Sequence, residues 1–294
     1  MCDDATELEN EAYLERVRLN RREVGIGAGV VVAAALTGCK AGGAPAAASQ
    51  TKSRAATITT PDGEAEAFFV APAEGRHPAV LVWPDVAGLR DAYRTMATRL
   101  ATSGYAVLAV NPYYRSSKLP VMETFAEWRT EEGRAKIKPM REALTHEAIT
   151  RDGAAFVAWL DEQPEVDTDK KIGTTGYCMG GPFTFRTAAA APDRVGAIGS
   201  FHGGGLVTDD PTSPHRLLEQ MQAAALICVA QNDDERQPEA KTVLAETAKA
   251  ADRPAEVEVY SAQHGWCTID SPVYDEAQAE RAWARLLATL RAHL

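Results

Sequence analysis

Hydrophobic and polar positions follow two rhythms along this chain. Ala79 to Trp83 and Tyr105 to Val110 are unbroken apolar runs, the mark of strands covered on both faces. Ile172 to Thr175, Val195 to Phe201, Ala224 to Val229 and Val257 to Tyr260 read as further strands. Between them lie stretches with helical spacing: Asp91 to Ser103, Glu147 to Glu162, Gly181 to Ala191, Glu239 to Ala251 and Glu276 to Leu294. Strands that alternate with helices predict crossover units, hence an α/β fold with a mainly parallel sheet and helices on both faces. Ahead of them, Ala55 to Thr60 and Glu64 to Val70 alternate around Pro61-Asp62-Gly63, which predicts a β-hairpin at the start of the domain. The charged segment Arg115 to Leu144, with Phe125, Trp128, Ile137 and Met140 scattered through it, completes no βα unit. It reads either as a helical lid or side wall of a cleft, or as a solvated surface insertion.

The first residues follow neither rhythm. Arg21-Arg22 precedes an apolar, Gly/Ala-rich run from Val24 to Leu36, which ends in Leu36-Thr37-Gly38-Cys39. Residues 1–39 therefore read as a twin-arginine export signal with a lipobox, residues 40–54 as a flexible linker, and residues 55–294 as the folded domain. This predicts an exported protein of the periplasm or cell envelope, lipid-anchored through Cys39. The run is short for a membrane span. A net charge of −10 over 294 residues, with no basic cluster outside the N-terminus, argues against nucleic acid as a partner. A small-molecule substrate fits better.

Chemistry concentrates where loops leave the carboxyl ends of the predicted strands. Gly176-Tyr177-Cys178-Met179-Gly180 sits between a strand and a helix, the setting of a nucleophile elbow, with cysteine at its centre. Cys178 is the candidate nucleophile; the plainer reading is a buried core cysteine in a Gly-rich loop. A thiol attacks as thiolate, so it needs a base. His264, in Gln263-His264-Gly265-Trp266 after the last strand, is the candidate. An acid that fixes the imidazole tautomer would come from Asp233 or its neighbour Asp234, after Val229, with Asp233 preferred. His202, in Phe201-His202-Gly203-Gly204-Gly205, competes with His264 as an auxiliary cleft residue; His77, His146, His215 and His293 read as surface residues. The backbone N–H groups of Met179 and Val86 are candidate oxyanion donors. Cys267 is a candidate disulfide partner for Cys178 that would silence it on oxidation.

These residues resemble the dienelactone hydrolase family, with Gly-Tyr-Cys-Met-Gly-Gly at residues 176–181 as the most specific match and Asp233 and His264 beside it. The resemblance spans residues 55–294 and implies an α/β-hydrolase fold. It also implies a Cys178-His264-Asp233 triad that attacks a lactone or ester carbonyl, with no metal or organic cofactor. Where the family carries a glutamate that governs cysteine ionisation, this chain has Asp85, one methylene shorter. The arginines with which family members hold an anionic lactone find no residue-by-residue match. The expected function is hydrolysis of small esters or lactones; amide or thioester processing, or a catalytically silent binding protein on the same fold, are the alternatives.

Overall fold

The apolar runs at residues 79–83 and 106–110 lie side by side and parallel, every residue buried, at the heart of one sheet. The computed structural model describes residues 4–24 and 50–294. In chain order the elements are α1 (Asp4–Val24), β1 (Thr51–Thr60), β2 (Gly63–Pro72), β3 (Ala79–Trp83), α2 (Asp91–Thr102) and β4 (Ala106–Val110). Then come α3 (Phe125–Trp128), α4 (Glu131–Glu142), α5 (His146–Asp161), β5 (Ile172–Tyr177), α6 (Gly180–Ala190) and β6 (Val195–Phe201). The chain closes with α7 (Pro214–Leu217), β7 (Ala224–Ala230), α8 (Gln231–Arg236), α9 (Ala240–Ala250), β8 (Ala255–Tyr260) and α10 (Glu276–His293).

The eight strands run in the order β1-β2-β4-β3-β5-β6-β7-β8. β1 and β2 form an antiparallel hairpin at one edge, and β2 runs antiparallel to β4; all later pairings are parallel. Successive side chains of a strand point to opposite faces, and the core divides accordingly. Ala79, Leu81 and Trp83 join the cluster under α5, α6 and α9, whereas Val80 and Val82 join the cluster under α2 and α10. Parallel pairing puts the carboxyl ends of β3 to β8 on one edge, and there the loops after β3, β5, β6, β7 and β8 meet.

Three expectations are refined. β1 starts at Thr51, so Thr51 to Arg54 are paired strand rather than linker. The segment from Arg115 to Leu144 is not a solvated insertion: Phe125, Trp128 and Ile137 are buried in the main core, and α3 and α4 flank the carboxyl edge. Residues 4–24, read as the start of an export signal, form a helix whose first turns pack on the body of the protein. The apolar run after Val24, Cys39 and most of the predicted linker lie outside the described residues. Among the described residues no helix is long and apolar enough to cross a membrane.

Candidate active site

Cys178 follows directly on β5 with φ +53°, in the left-handed region that a β-carbon makes costly. The turn closes because its neighbours lack side chains. A β-carbon on Gly176 would lie 2.0 Å from the Gly180 carbonyl oxygen, and one on Gly180 would lie 2.4 Å from that of Trp83. The Cys178 amide donates to Phe201 O at 3.0 Å, and Gly181 N donates back to Cys178 O at 3.0 Å, so the strained residue is pinned from both sides. Its side chain is 1 % exposed.

His264 stands beside it, also 1 % exposed, and the loops after β7 and β8 hold it jointly. The His264 amide donates to Asn232 Oδ1 at 2.8 Å, and its Nδ1 lies 2.7 Å from Asp233 Oδ2. Asp233 sits on α8 rather than in an open loop, and its second oxygen accepts from Arg236 Nη2 at 2.9 Å. Asp234 points elsewhere, to Lys241 Nζ at 2.6 Å. Burial alone would push the imidazole pKa down, but the Asp233 carboxylate and the Cys178 sulfur more than offset it, raising His264 to about 10. Burial likewise opposes Asp233 ionisation, yet the His264 charge holds its carboxyl below the ordinary value. With Nδ1 taken by Asp233, the other ring nitrogen is buried with no hydrogen-bond partner among the described residues, and the Cys178 sulfur is close enough for its charge to act on the ring.

Asp85 does not reach toward the sulfur as a hydrogen-bonding partner. Its Oδ1 accepts from Ala87 N at 2.9 Å and from Arg90 Nη1 at 2.8 Å, and its Oδ2 accepts from Arg90 Nη2 at 2.9 Å. Arg90 also bonds Asp270 with Nε and Nη2, at 2.8 and 2.7 Å. The pair therefore braces the loop that carries Val86 against the loop that carries His264. Tyr113 adds a second brace, donating to Val86 O at 2.8 Å and touching the Met179 sulfur at 3.3 Å. Met179 N–H and Val86 N–H donate to no group among the described residues, as oxyanion donors require. Sequence reasoning missed Tyr113 and Arg90, because only tertiary contact brings them to the site.

His202 lies against His264 with ring centroids 4.9 Å apart, and against Trp266 at 5.1 Å. Both its ring nitrogens are buried without a partner, and burial beside His264 drives its pKa well below the ordinary value. It is a neutral wall of the site. Cys267 belongs to the core cluster on the opposite sheet face from Cys178, and Cys178, Cys228 and Cys267 are in no disulfide. The bridge between Cys178 and Cys267 is not made. His215, expected at the surface, is buried, with Nδ1 2.8 Å from Ser213 Oγ.

Helix α1 packs against the segments that carry this site. Thr6, Glu7 and Asn10 of α1 are buried on it. Asn10 Nδ2 donates to His264 O at 3.0 Å, Glu7 Oε2 accepts from Arg129 Nε at 2.8 Å, and Thr6 Oγ1 accepts from Arg236 Nη1 at 3.0 Å.

A parallel sheet with its nucleophile candidate on a βα elbow, an acid after β7 and a histidine after β8 defines an α/β-hydrolase. The chain belongs to the dienelactone hydrolase family, whose sequence model matches residues 65–294. A protein of Salmonella typhi named "Putative carboxymethylenebutenolidase" is 25 % identical over 238 residues, covering 79 % of this chain and 84 % of its own length. A Bradyrhizobium protein named "Probable 2-oxo-3-(5-oxofuran-2-ylidene)propanoate lactonase" is 24 % identical over 223 residues, covering 75 % of this chain and 86 % of its own. Among solved structures, a "Putative Dienelactone Hydrolase" from Klebsiella pneumoniae superposes with a TM-score of 0.72 at 21 % identity, covering 83 % of this chain and all of its own.

Proposed function

We propose that this protein hydrolyses small esters or lactones through Cys178, His264 and Asp233, without a cofactor. The observation that carries the reading is the 2.7 Å contact of His264 Nδ1 with Asp233 while the same ring lies against a cysteine on a strained elbow. His264 holds the proton shared by this pair, so the sulfur adds to the carbonyl carbon as a thiolate. The resulting oxyanion lies between Met179 N–H and Val86 N–H. Collapse breaks the bond to the leaving oxygen, which takes its proton from His264; from a lactone the freed hydroxyl stays on the acyl chain. Water, deprotonated by His264, then attacks the thioester and releases the acid. Asp233 steadies the imidazolium formed in each half. A cavity of about 340 Å³ beside Met179, lined also by Phe183, Arg141 and Arg186, suits a small acyl or alcohol part. The names of the relatives from Salmonella and Bradyrhizobium support the same bond type.

An activated ester such as p-nitrophenyl acetate tests this. The wild type gives a burst of nitrophenol followed by turnover, and Cys178→Ala loses the burst and at least about 10³-fold in rate. Equal rates from wild type and variant would sink the reading.

We further propose that residues 1–39 direct export and that Cys39 carries the lipid. Arg21-Arg22 and Leu36-Thr37-Gly38-Cys39 support this. A cell-envelope protein whose mass and N-terminus match a lipidated Cys39 is expected; a mature chain still starting at Met1 argues against it.

A further inference from the structure

The first turns of α1 pack against the segments that carry His264 and Asp233. Cys178 and His264 are each 1 % exposed, and the cavities reaching the neighbouring residues Met179 and Asp233 are lined by neither of them. Glu7 is 5 % exposed, close enough for its charge to act on both Cys178 and His264. Its Oε2 is held by Arg129, whereas Oε1 is buried with no partner.

The way α1 is held is unusual for a permanent part of a fold. Most helices stay in place by burying an apolar stripe. This one buries Thr6, Glu7 and Asn10 and leaves Leu8 66 % exposed. Its attachments are polar: Arg129 to Glu7 and Glu11, Arg236 to Thr6, Asn232 to Glu9, and Asn10 to the His264 carbonyl. Burial raises the Glu7 carboxyl above its ordinary pKa in spite of Arg129, so part of the attraction is spent on desolvation. A segment attached through exchangeable hydrogen bonds and partly exposed ion pairs belongs to the low end of local stability.

We propose that α1 is an intramolecular inhibitor: the turn from Thr6 to Asn10 caps the catalytic cleft, with Glu7 over Cys178 and His264, and must leave before a substrate reaches the sulfur. This rests on the hydrolase reading above. It also gives the export reading a consequence, because a cut ahead of Cys39 would remove α1 and leave the site open. The groups that receive α1 come from three places, Arg129 just after α3, Asn232 and Arg236 on α8, and the His264 carbonyl, so the cap closes only on a folded catalytic edge.

The test uses the full chain in two variants, Glu7→Ala with Asn10→Ala on the helix, and Arg129→Ala on the body. Two readouts are taken: the rate at which iodoacetamide alkylates Cys178, mapped by peptide mass spectrometry, and kcat/KM for p-nitrophenyl acetate. Loss of one charge-assisted bond shifts the closed-to-open ratio by about tenfold or more, so both readouts rise by about that factor in both variants. Wild-type alkylation also speeds up between 0.05 and 0.5 M salt, and that of the variants much less. Alkylation unchanged in both variants would overturn the proposal. So would faster alkylation with slower ester turnover, which would make α1 part of the working site. Faster alkylation with no turnover by any form would leave the cap standing and remove the hydrolase reading instead.

Discussion

Asp233 and Asp234 are adjacent carboxylates with separate fates, and the cause is local geometry. Both lie on α8, where successive side chains diverge by roughly 100° around the axis. Asp233 therefore faces His264 while Asp234 turns to Lys241. Asp233→Asn should keep the shape but lose the charge that favours the imidazolium, lowering kcat for an activated ester by about 10³ to 10⁴-fold. Asp234→Asn, which breaks only a half-exposed ion pair, should stay within about twofold. Steady-state kinetics on the two variants decide it; equal losses would mean that the acid is wrongly assigned. The sequence could favour Asp233 only by counting from the strand. It could not show the helix, because Gln-Asn-Asp-Asp-Glu-Arg at residues 231–236 has no apolar residue to mark a buried face.

At the scale of elements, the loop after β3 depends on an ion cluster rather than on apolar packing. Arg90 is fully buried between Asp85 and Asp270, and Asp270 also accepts from Phe125 N at 3.1 Å. Three segments thus meet on one guanidinium: the loop carrying Val86, the loop carrying His264, and the start of α3. Removing one partner of a buried pair leaves an uncompensated charge, so Asp85→Asn should cost about 3 kcal/mol. In a domain of this size that is a fall of roughly 10 °C in Tm. Asp270 is 29 % exposed, and water can replace part of what it gives, so Asp270→Asn should cost less than half as much. Thermal unfolding followed by circular dichroism checks both; a larger loss for Asp270→Asn would refute the ranking. The framework of strands and long helices was legible in the sequence because buried parallel strands read as apolar runs and their covering helices keep a 3.6-residue period. α1 was not, since what it buries is polar and its Arg21-Arg22 pair resembles an export signal. The bracing by Arg90 and Tyr113 was not legible either. Asp85 and Asp270 are 185 positions apart in the chain, and no local pattern records such a meeting.

For the molecule as a whole, the charges gathered at the carboxyl edge couple folding to pH. His264 is raised from 6.5 to about 10 in the folded protein, so between those values the folded chain holds a proton that the unfolded chain has released. The stability this group contributes is fully present below about pH 6.5 and is lost as pH rises through about 10. Asp233 acts in the other direction: its lowered pKa contributes stability above 3.8 that is lost only in acid, so it stays constant across the alkaline window. Cys228, raised from 9.0 to about 12 by burial, also destabilises the fold as pH climbs, but it lies outside the site and is common to any variant made there. A comparison with His264→Gln therefore reads the imidazole together with the Cys178 sulfur coupled to it, because glutamine does not titrate. Wild-type Tm should fall more steeply between pH 6.5 and 9.5 than Tm of His264→Gln, with the two curves drawing together at the alkaline end. Parallel curves would mean that His264 has an ordinary pKa in the folded state, and the charged pairing of His264 with Asp233 and Cys178 would have to be given up.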